Sequence, residues 1–261
     1  MDVSQNLTMF PSSDSCGGTQ PECESTDLPV LYRDDRFIAI DKPSGLLVHR
    51  TPIDKRETRF AIQLLRDQIG HPVTPCHRLD RPTSGVLLFA FDQEALSALS
   101  IAFQEKQVSK TYKAIVRGFA PENGVIDHPL RKFEDNDARI KSELTQEAKT
   151  GFVRLSKAQI PLPIHHYSAT RYSLVELAPE TGRRHQIRRH LAHINCPIIG
   201  DTRYGDSLHN ITFRQRYGIQ RLFLAATQVT FRHPFTQEIV RIQAPLASDF
   251  QAALKRTHLQ L

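Results

Sequence analysis

Six consecutive apolar residues, Val86-Leu87-Leu88-Phe89-Ala90-Phe91, stand between Gly85 and Asp92, and no other apolar run in the chain is as long. Six residues are far too few for a bilayer-crossing helix, which takes about 20. Bounded by a glycine and a helix-capping residue, the run reads as a buried strand. Asp92 can then N-cap a helix whose Ala95, Leu96, Leu99, Ala102 and Phe103 recur at helical spacing. A buried strand joined directly to an amphipathic helix commits the chain to mixed α and β structure.

The remaining signals extend that pattern. Val30-Leu31-Tyr32-Arg33 and Arg36-Phe37-Ile38-Ala39-Ile40 flank Asp34-Asp35 as two short strands around a tight turn, and Asp41-Lys42-Pro43-Ser44-Gly45 supplies breakers before Leu46-Leu47-Val48. Phe60 to Ile69 fits an amphipathic helix ending at Gly70 and Pro72. Thr111 to Val116 and Tyr172 to Leu177 read as strands, and Leu222 to Phe231 with Ile239 to Ile242 as a late hairpin around Pro234. Between Glu122 and Tyr167 the pattern weakens into charges, prolines and short apolar pieces, which predicts long connections there. No internal repeat is present. The expected class is α+β and strand-rich, and 261 residues with 39% hydrophobic content supply one substantial core or two small ones.

Residues 1–28 carry five acids, no Lys or Arg, and no apolar periodicity, which predicts a disordered acidic tail ahead of a single domain over 29–261. All 34 basic residues therefore face only 23 of the 28 acidic ones, so the body is more basic than the formal charge of +6 indicates. Such a surface attracts polyanions, nucleic acid first among them. The spacing of Cys16, Cys23, Cys76 and Cys196 matches neither a disulfide framework nor a Cys-x-x-Cys metal site, so reduced thiols are expected. With no basic-apolar leader and no span, the chain is expected to be cytoplasmic and not membrane-bound.

Three stretches carry chemistry. In His77-Arg78-Leu79-Asp80-Arg81-Pro82-Thr83-Ser84-Gly85, four residues are ionisable and the last four turn the chain into the Val86 strand. Alone, this is equally an Asx-type turn with surface ion pairs; held at a strand end, it is also where catalytic side chains sit. In Glu180-Thr181-Gly182-Arg183-Arg184-His185-Gln186-Ile187-Arg188-Arg189-His190-Leu191-Ala192-His193, the apolar spacing of Ile187 and Leu191 indicates a helix with Thr181 as N-cap. Two arginines in its first turn oppose the helix dipole, so either an anion lies against them or they extend into solvent. Lys110-Thr111-Tyr112-Lys113-Ala114-Ile115-Val116-Arg117-Gly118 is a strand alternating basic and apolar residues, in which Tyr112 either stacks on a nucleobase or packs in the sheet.

Taken in order, Lys42-Pro43-Ser44-Gly45, His77 to Gly85, Lys110 to Gly118 and Thr181 to Arg189 resemble the signature segments of the large-subunit-A type of RNA pseudouridine synthases, a likeness that runs from about residue 30 to the C-terminus. Leu47-Val48-His49-Arg50, Arg81-Pro82-Thr83-Ser84 and the run from Arg188 to His193 leading into Pro197 are similar to a subgroup acting on a T-stem uridine of tRNA. The resemblance implies a long, bent antiparallel sheet crossed by a central cleft, isomerisation of uridine in RNA, and no cofactor. It implies that Asp80 is the catalytic carboxylate, that Arg188 holds its charge, and that Tyr112 stacks on the uracil and can help remove the C5 proton. It places Arg78 where an arginine fills the space of the extruded base. His77, Arg81, Lys42, Arg183 and Arg184 follow as RNA-binding residues, with Lys42, Arg183 and Arg184 as backbone or structural contacts, in a monomer.

Alternatives of other kinds are a ribosomal RNA target, a noncatalytic RNA-binding protein or RNA chaperone, and a zinc enzyme using His185, His190 and His193. No cysteine adjoins those histidines and no His-Glu-x-x-His spacing occurs, so no metal is expected. A Ser84 nucleophile lacks a Gly-x-Ser-x-Gly elbow.

Overall fold

A computed structural model describes residues 27–49, 58–133, 141–164 and 166–260. The expected acidic tail lies outside the described residues apart from its last two positions, as does Arg50. Leu28, expected to be the tail's last residue, is already part of the core, 4% exposed, its backbone N–H and carbonyl both bonded to the Gln68 side-chain amide.

In chain order the elements are β1 (Val30–Arg33), β2 (Phe37–Lys42), α1 (Ala61–Ile69), β3 (Thr74–Pro75), β4 (Ser84–Ala90), α2 (Gln93–Gln104), β5 (Ser109–Arg117), β6 (Asn123–Asp127), β7 (Leu130–Phe133), β8 (Lys141–Gln146), β9 (Lys149–Ile160), β10 (Thr170–Pro179), α3 (Gln186–His193), α4 (Ser207–Tyr217), β11 (Leu224–Arg232), β12 (Ile239–Gln243) and α5 (Ser248–Arg256). A ten-stranded sheet runs β1-β2-β4-β11-β5-β10-β9-β6, with β3 added to β4 and β12 to β11, while β7 and β8 form a separate two-stranded ribbon.

The apolar run explains the centre of this sheet. Val86, Leu88 and Ala90 point to one face and Leu87 and Phe89 to the other, and both sets are buried. Ala95, Leu99 and Ala102 of α2 cover the first face; Ala61 and Leu65 of α1, Phe213 of α4 and Phe250 of α5 belong to the core on the second. Asp92 caps α2 by accepting from Ala95 N at 2.7 Å, and α1 ends at Gly70 in the left-handed region, both as expected.

The sheet differs from the expected antiparallel one at a single junction. β4 and β11 run parallel over Ala225–Ser84 and Ala226–Gly85, joining two antiparallel halves. Gly85 has φ +108, and a Cβ there would stand 2.0 Å from the Ala226 carbonyl oxygen, so only glycine lets these backbones close. That junction begins directly after the Asp80 loop.

The expectation of long connections between 122 and 167 is overturned. The stretch contains β6, β7, β8 and the twelve-residue β9, the longest strand in the chain. β9 is held by its ladder to β10 from Thr150–Pro179 to Ile160–Thr170, and much of it is exposed, so backbone pairing replaces the apolar alternation that sequence reading relies on.

Candidate active site

Asp80 sits in the loop between β3 and β4, where Thr83 N donates to the Asp80 carbonyl at 3.0 Å. A second turn grips this loop. Gly45 N donates to the Arg81 carbonyl (2.9 Å), Ser44 Oγ to the Pro82 carbonyl (2.8 Å), and Arg81 Nε back to the Gly45 carbonyl (3.0 Å). Lys42 is fully buried at the centre of the grip, its Nζ donating to the carbonyls of Pro43, Leu46 and Arg81 at 2.9, 2.8 and 3.1 Å. Burial pushes its amine down to about 7, while three carbonyl acceptors match the three protons of the ammonium form. Of the backbone or structural roles expected for Lys42, this burial and bonding give it the structural one and take it out of reach of RNA.

His77 is likewise turned away from the cleft. Its Nε2 accepts from Leu88 N at 3.2 Å and its ring rests on Phe103 with centroids 5.6 Å apart, so it supports β4 and is not among the cleft residues. Arg81 is spent on the Gly45 turn and is not among the cleft residues.

The cleft itself, about 140 Å3, is lined on one side by Arg78, Leu79, Asp80 and Thr83 and on the other by Thr181 to Arg188. Tyr112 and Lys110 of β5 lie between these walls, with Pro179 at the end of β10. Tyr112 is 8% exposed, and burial first, then the charge of Asp80, pushes its phenol well above its ordinary value. Burial also lowers the Lys110 amine.

Thr181 is not the N-cap of α3, contrary to expectation. The helix starts at Gln186, and Thr181 Oγ1 donates to Gln186 Oε1 at 2.7 Å and accepts from Lys149 N at 3.1 Å. Gln186 also accepts from Arg183 N and donates to the Lys149 carbonyl and Thr150 Oγ1, pinning residues 181–185 to β9. Arg183 and Arg184 consequently precede the helix, and the two arginines in its first turn are Arg188 and Arg189, of which Arg188 is met by the carboxylates of Asp80 and Asp201.

His185, at the N-cap position, has φ +54. A non-glycine residue in that region is uncommon and signals a position over-determined by its surroundings. Its Nδ1 pairs with the Tyr204 hydroxyl at 3.0 Å, its Nε2 stands 3.9 Å from Asp80 Oδ1, and burial pushes the imidazole down to about 4.

Arg188 is buried in the first turn of α3 and donates from Nη1 to Asp80 Oδ2 at 3.2 Å. Its other face is bidentate to Asp201, Nε to Oδ2 at 2.7 Å and Nη2 to Oδ1 at 2.8 Å. Asp201 is 1% exposed and also accepts from the backbone N–H groups of Arg203 and Tyr204. Burial raises the Asp201 carboxyl, but the Arg188 hydrogen bonds and charge outweigh it and hold it below its usual value. Asp201 and Tyr204 were assigned no role from sequence. Nothing in the 13-residue interval between Arg188 and Asp201 marks them as neighbours.

The model of the family described as RNA pseudouridylate synthase matches residues 36–193. The chain is 46% identical over 234 residues to tRNA pseudouridine synthase C of Vibrio parahaemolyticus, covering 88% of this chain and 95% of that one. Against the protein of the same name from Pasteurella multocida it is 49% identical, covering 83% and 90%. Among solved structures, human RNA pseudouridylate synthase domain containing 4 superposes with a TM-score of 0.68 at 28% identity, covering 89% of this chain and 94% of that one. The human domain containing 1 protein shares the fold, with a TM-score of 0.64 at 24% identity. With more than half its length matched by one model and most of its length by curated relatives, the chain belongs to the RNA pseudouridylate synthase family and is an isomerase acting on uridine in RNA.

Proposed function

We propose that the chain converts a T-stem uridine of tRNA to pseudouridine, with Asp80 as the catalytic carboxylate, in the cytoplasm and as a monomeric catalytic domain over residues 29–261. One observation carries the reading: a carboxylate in a cleft whose Oδ2 is fixed by Arg188 while Oδ1 faces His185 from 3.9 Å. The tRNA target rests on the relatives named for tRNA.

The reaction breaks the N1–C1′ bond, turns the base and forms C5–C1′; the C5 proton leaves and N1 gains one. No electrons are exchanged, so the reading requires no cofactor or metal. Asp80 adds to the nucleoside at C1′ or C6 and divides one difficult exchange into two steps. Because Asp201 takes two donors of Arg188, the guanidinium cannot swing, and its third donor presents a fixed positive charge to Asp80 throughout. Tyr112 offers the uracil an aromatic surface. Its raised phenol value supports contact with the base as a neutral group and argues against a resting phenolate. The exposure of Arg78 in the cleft lining supports its role of filling the stem left by the extruded base.

Pseudouridine mapping of tRNA and ribosomal RNA from cells with and without the gene tests the target. Loss of the modification at the T-stem uridine alone is expected; its persistence in the deletion, with loss in ribosomal RNA, transfers the activity to the other substrate.

A further inference from the structure

Beside the base cleft lies a second concavity of about 260 Å3 whose lining holds six cations, Arg78, Arg131, Lys132, Arg183, Arg184 and Arg189. Among the described residues, Phe133 and Gln146 complete the lining and no acid joins it. Three guanidinium groups crowd the single phenyl ring of Phe133: Arg184 at 4.7 Å, Arg203 at 5.0 Å and Arg189 at 5.4 Å from its centroid. Attraction to the ring explains one such partner or two, but each added cation also meets the others. Arg184 and Arg189 are both lowered, by burial first and then by neighbouring charges that include Arg203. Glu143 stands 3.9 Å from Arg131 with its side chain 92% exposed, an ion pair in water that contributes little.

The cations are also held in place. Arg189 Nη1 donates to the Arg131 carbonyl and Arg183 Nε to the Glu147 carbonyl, each at 3.0 Å. Neutral carbonyls anchor these side chains without consuming their charge, and the remaining N–H donors keep the forked geometry that suits phosphate. Arg78, Arg183 and Arg184 line both the base cleft and this concavity, so the two are continuous.

We propose that the concavity between the β7–β8 ribbon and the residues leading into α3 is a phosphate notch that grips the RNA backbone next to the uridine delivered to the cleft. The inference rests on the reading of the cleft as the uridine site and adds where the flanking strand runs. Phosphate contacts fix register without reading sequence, which suits an enzyme that must hold a strand while one base leaves the stack.

The test uses an unmodified tRNA transcript as probe and Arg131→Gln/Lys132→Gln and Arg189→Gln as variants. Binding is measured in an Asp80→Asn background across a salt series, and turnover by tritium release from [5-3H]uridine with Asp80 intact. Each notch charge removed is expected to flatten the slope of log Kd against log salt by about 0.7–0.9. The loss in turnover is expected to fall on KM more than on kcat, and Arg131→Lys and Arg189→Lys to recover most of the slope. An unchanged slope in the notch variants, or an equal loss from Lys157→Gln on β9, overturns the inference. Absence of tritium release by the parent overturns the tRNA reading instead, since the binding comparison does not depend on it.

Discussion

The surroundings of Asp80 are set by two side chains beside it and one that does not touch it. Arg188 supplies the charge, His185 faces the free oxygen, and Asp201 decides where Arg188 can be. Replacing Asp201 with Ala leaves a buried guanidinium without its bidentate partner, a loss of about 3–5 kcal/mol. Urea denaturation is expected to show that loss, and Asp201→Asn, which keeps the shape, to lower kcat more than it raises KM. Burial pushes His185 down to about 4 and His77 to about 3, against 6.5 for a free imidazole. Between those values the unfolded chain binds protons that the folded one does not. Stability is therefore whole above about pH 6.5 and is lost as pH falls towards 4, at ~1.4 kcal/mol per pH unit for each histidine. Unfolding free energies of wild type and His77→Gln between pH 7 and 4.5 check the sign: the difference between them is expected to shrink in acid. The meeting of Asp80, Tyr112 and Arg188 in one cleft was legible because each lies within its own run of ordered residues. Asp201 was not, since a salt bridge across a fold leaves no spacing in the chain.

At the level of elements, periodicity succeeded where burial is two-sided or one face is apolar, and failed where the ladder alone holds a strand. β4 was readable from six apolar residues, and α2 from Asp92 and its apolar spacing. β9 was not, because its Val153 and Leu155 are substantially exposed and its order comes from pairing with β10. α3 was placed too early because Thr181 has the chemistry of a cap but spends its hydroxyl on Gln186. The β4–β11 junction carries the sharpest prediction at this scale. Gly85→Ala forces a Cβ to within 2.0 Å of a backbone oxygen at a positive φ, and is expected to cost about 3 kcal/mol or more. Thermal unfolding of that variant measures it, and a melting point equal to wild type contradicts the close approach. Phe89→Ala, deep in the same strand, is expected to cost about 3–5 kcal/mol by leaving a cavity.

Across the whole molecule, two antiparallel half-sheets meet at a parallel seam, and the Asp80 loop is the segment that enters that seam. The Lys42–Gly45 turn, the Arg188–Asp201 pair and Gln186 fix the walls of the cleft from three directions, so the carboxylate is positioned before RNA arrives. In the proposed reading, RNA encounter falls to the basic excess of the body and isomerisation to the Asp80 cleft. These two functions separate in one measurement. Asp80→Asn keeps the volume of the side chain, removes a negative charge from the cleft and takes away the carboxylate proposed to add to the nucleoside. Tritium release from [5-3H]uridine-labelled tRNA is expected to fall to background while the Kd for the same tRNA stays equal or tightens. Undiminished release by Asp80→Asn contradicts the assignment of Asp80.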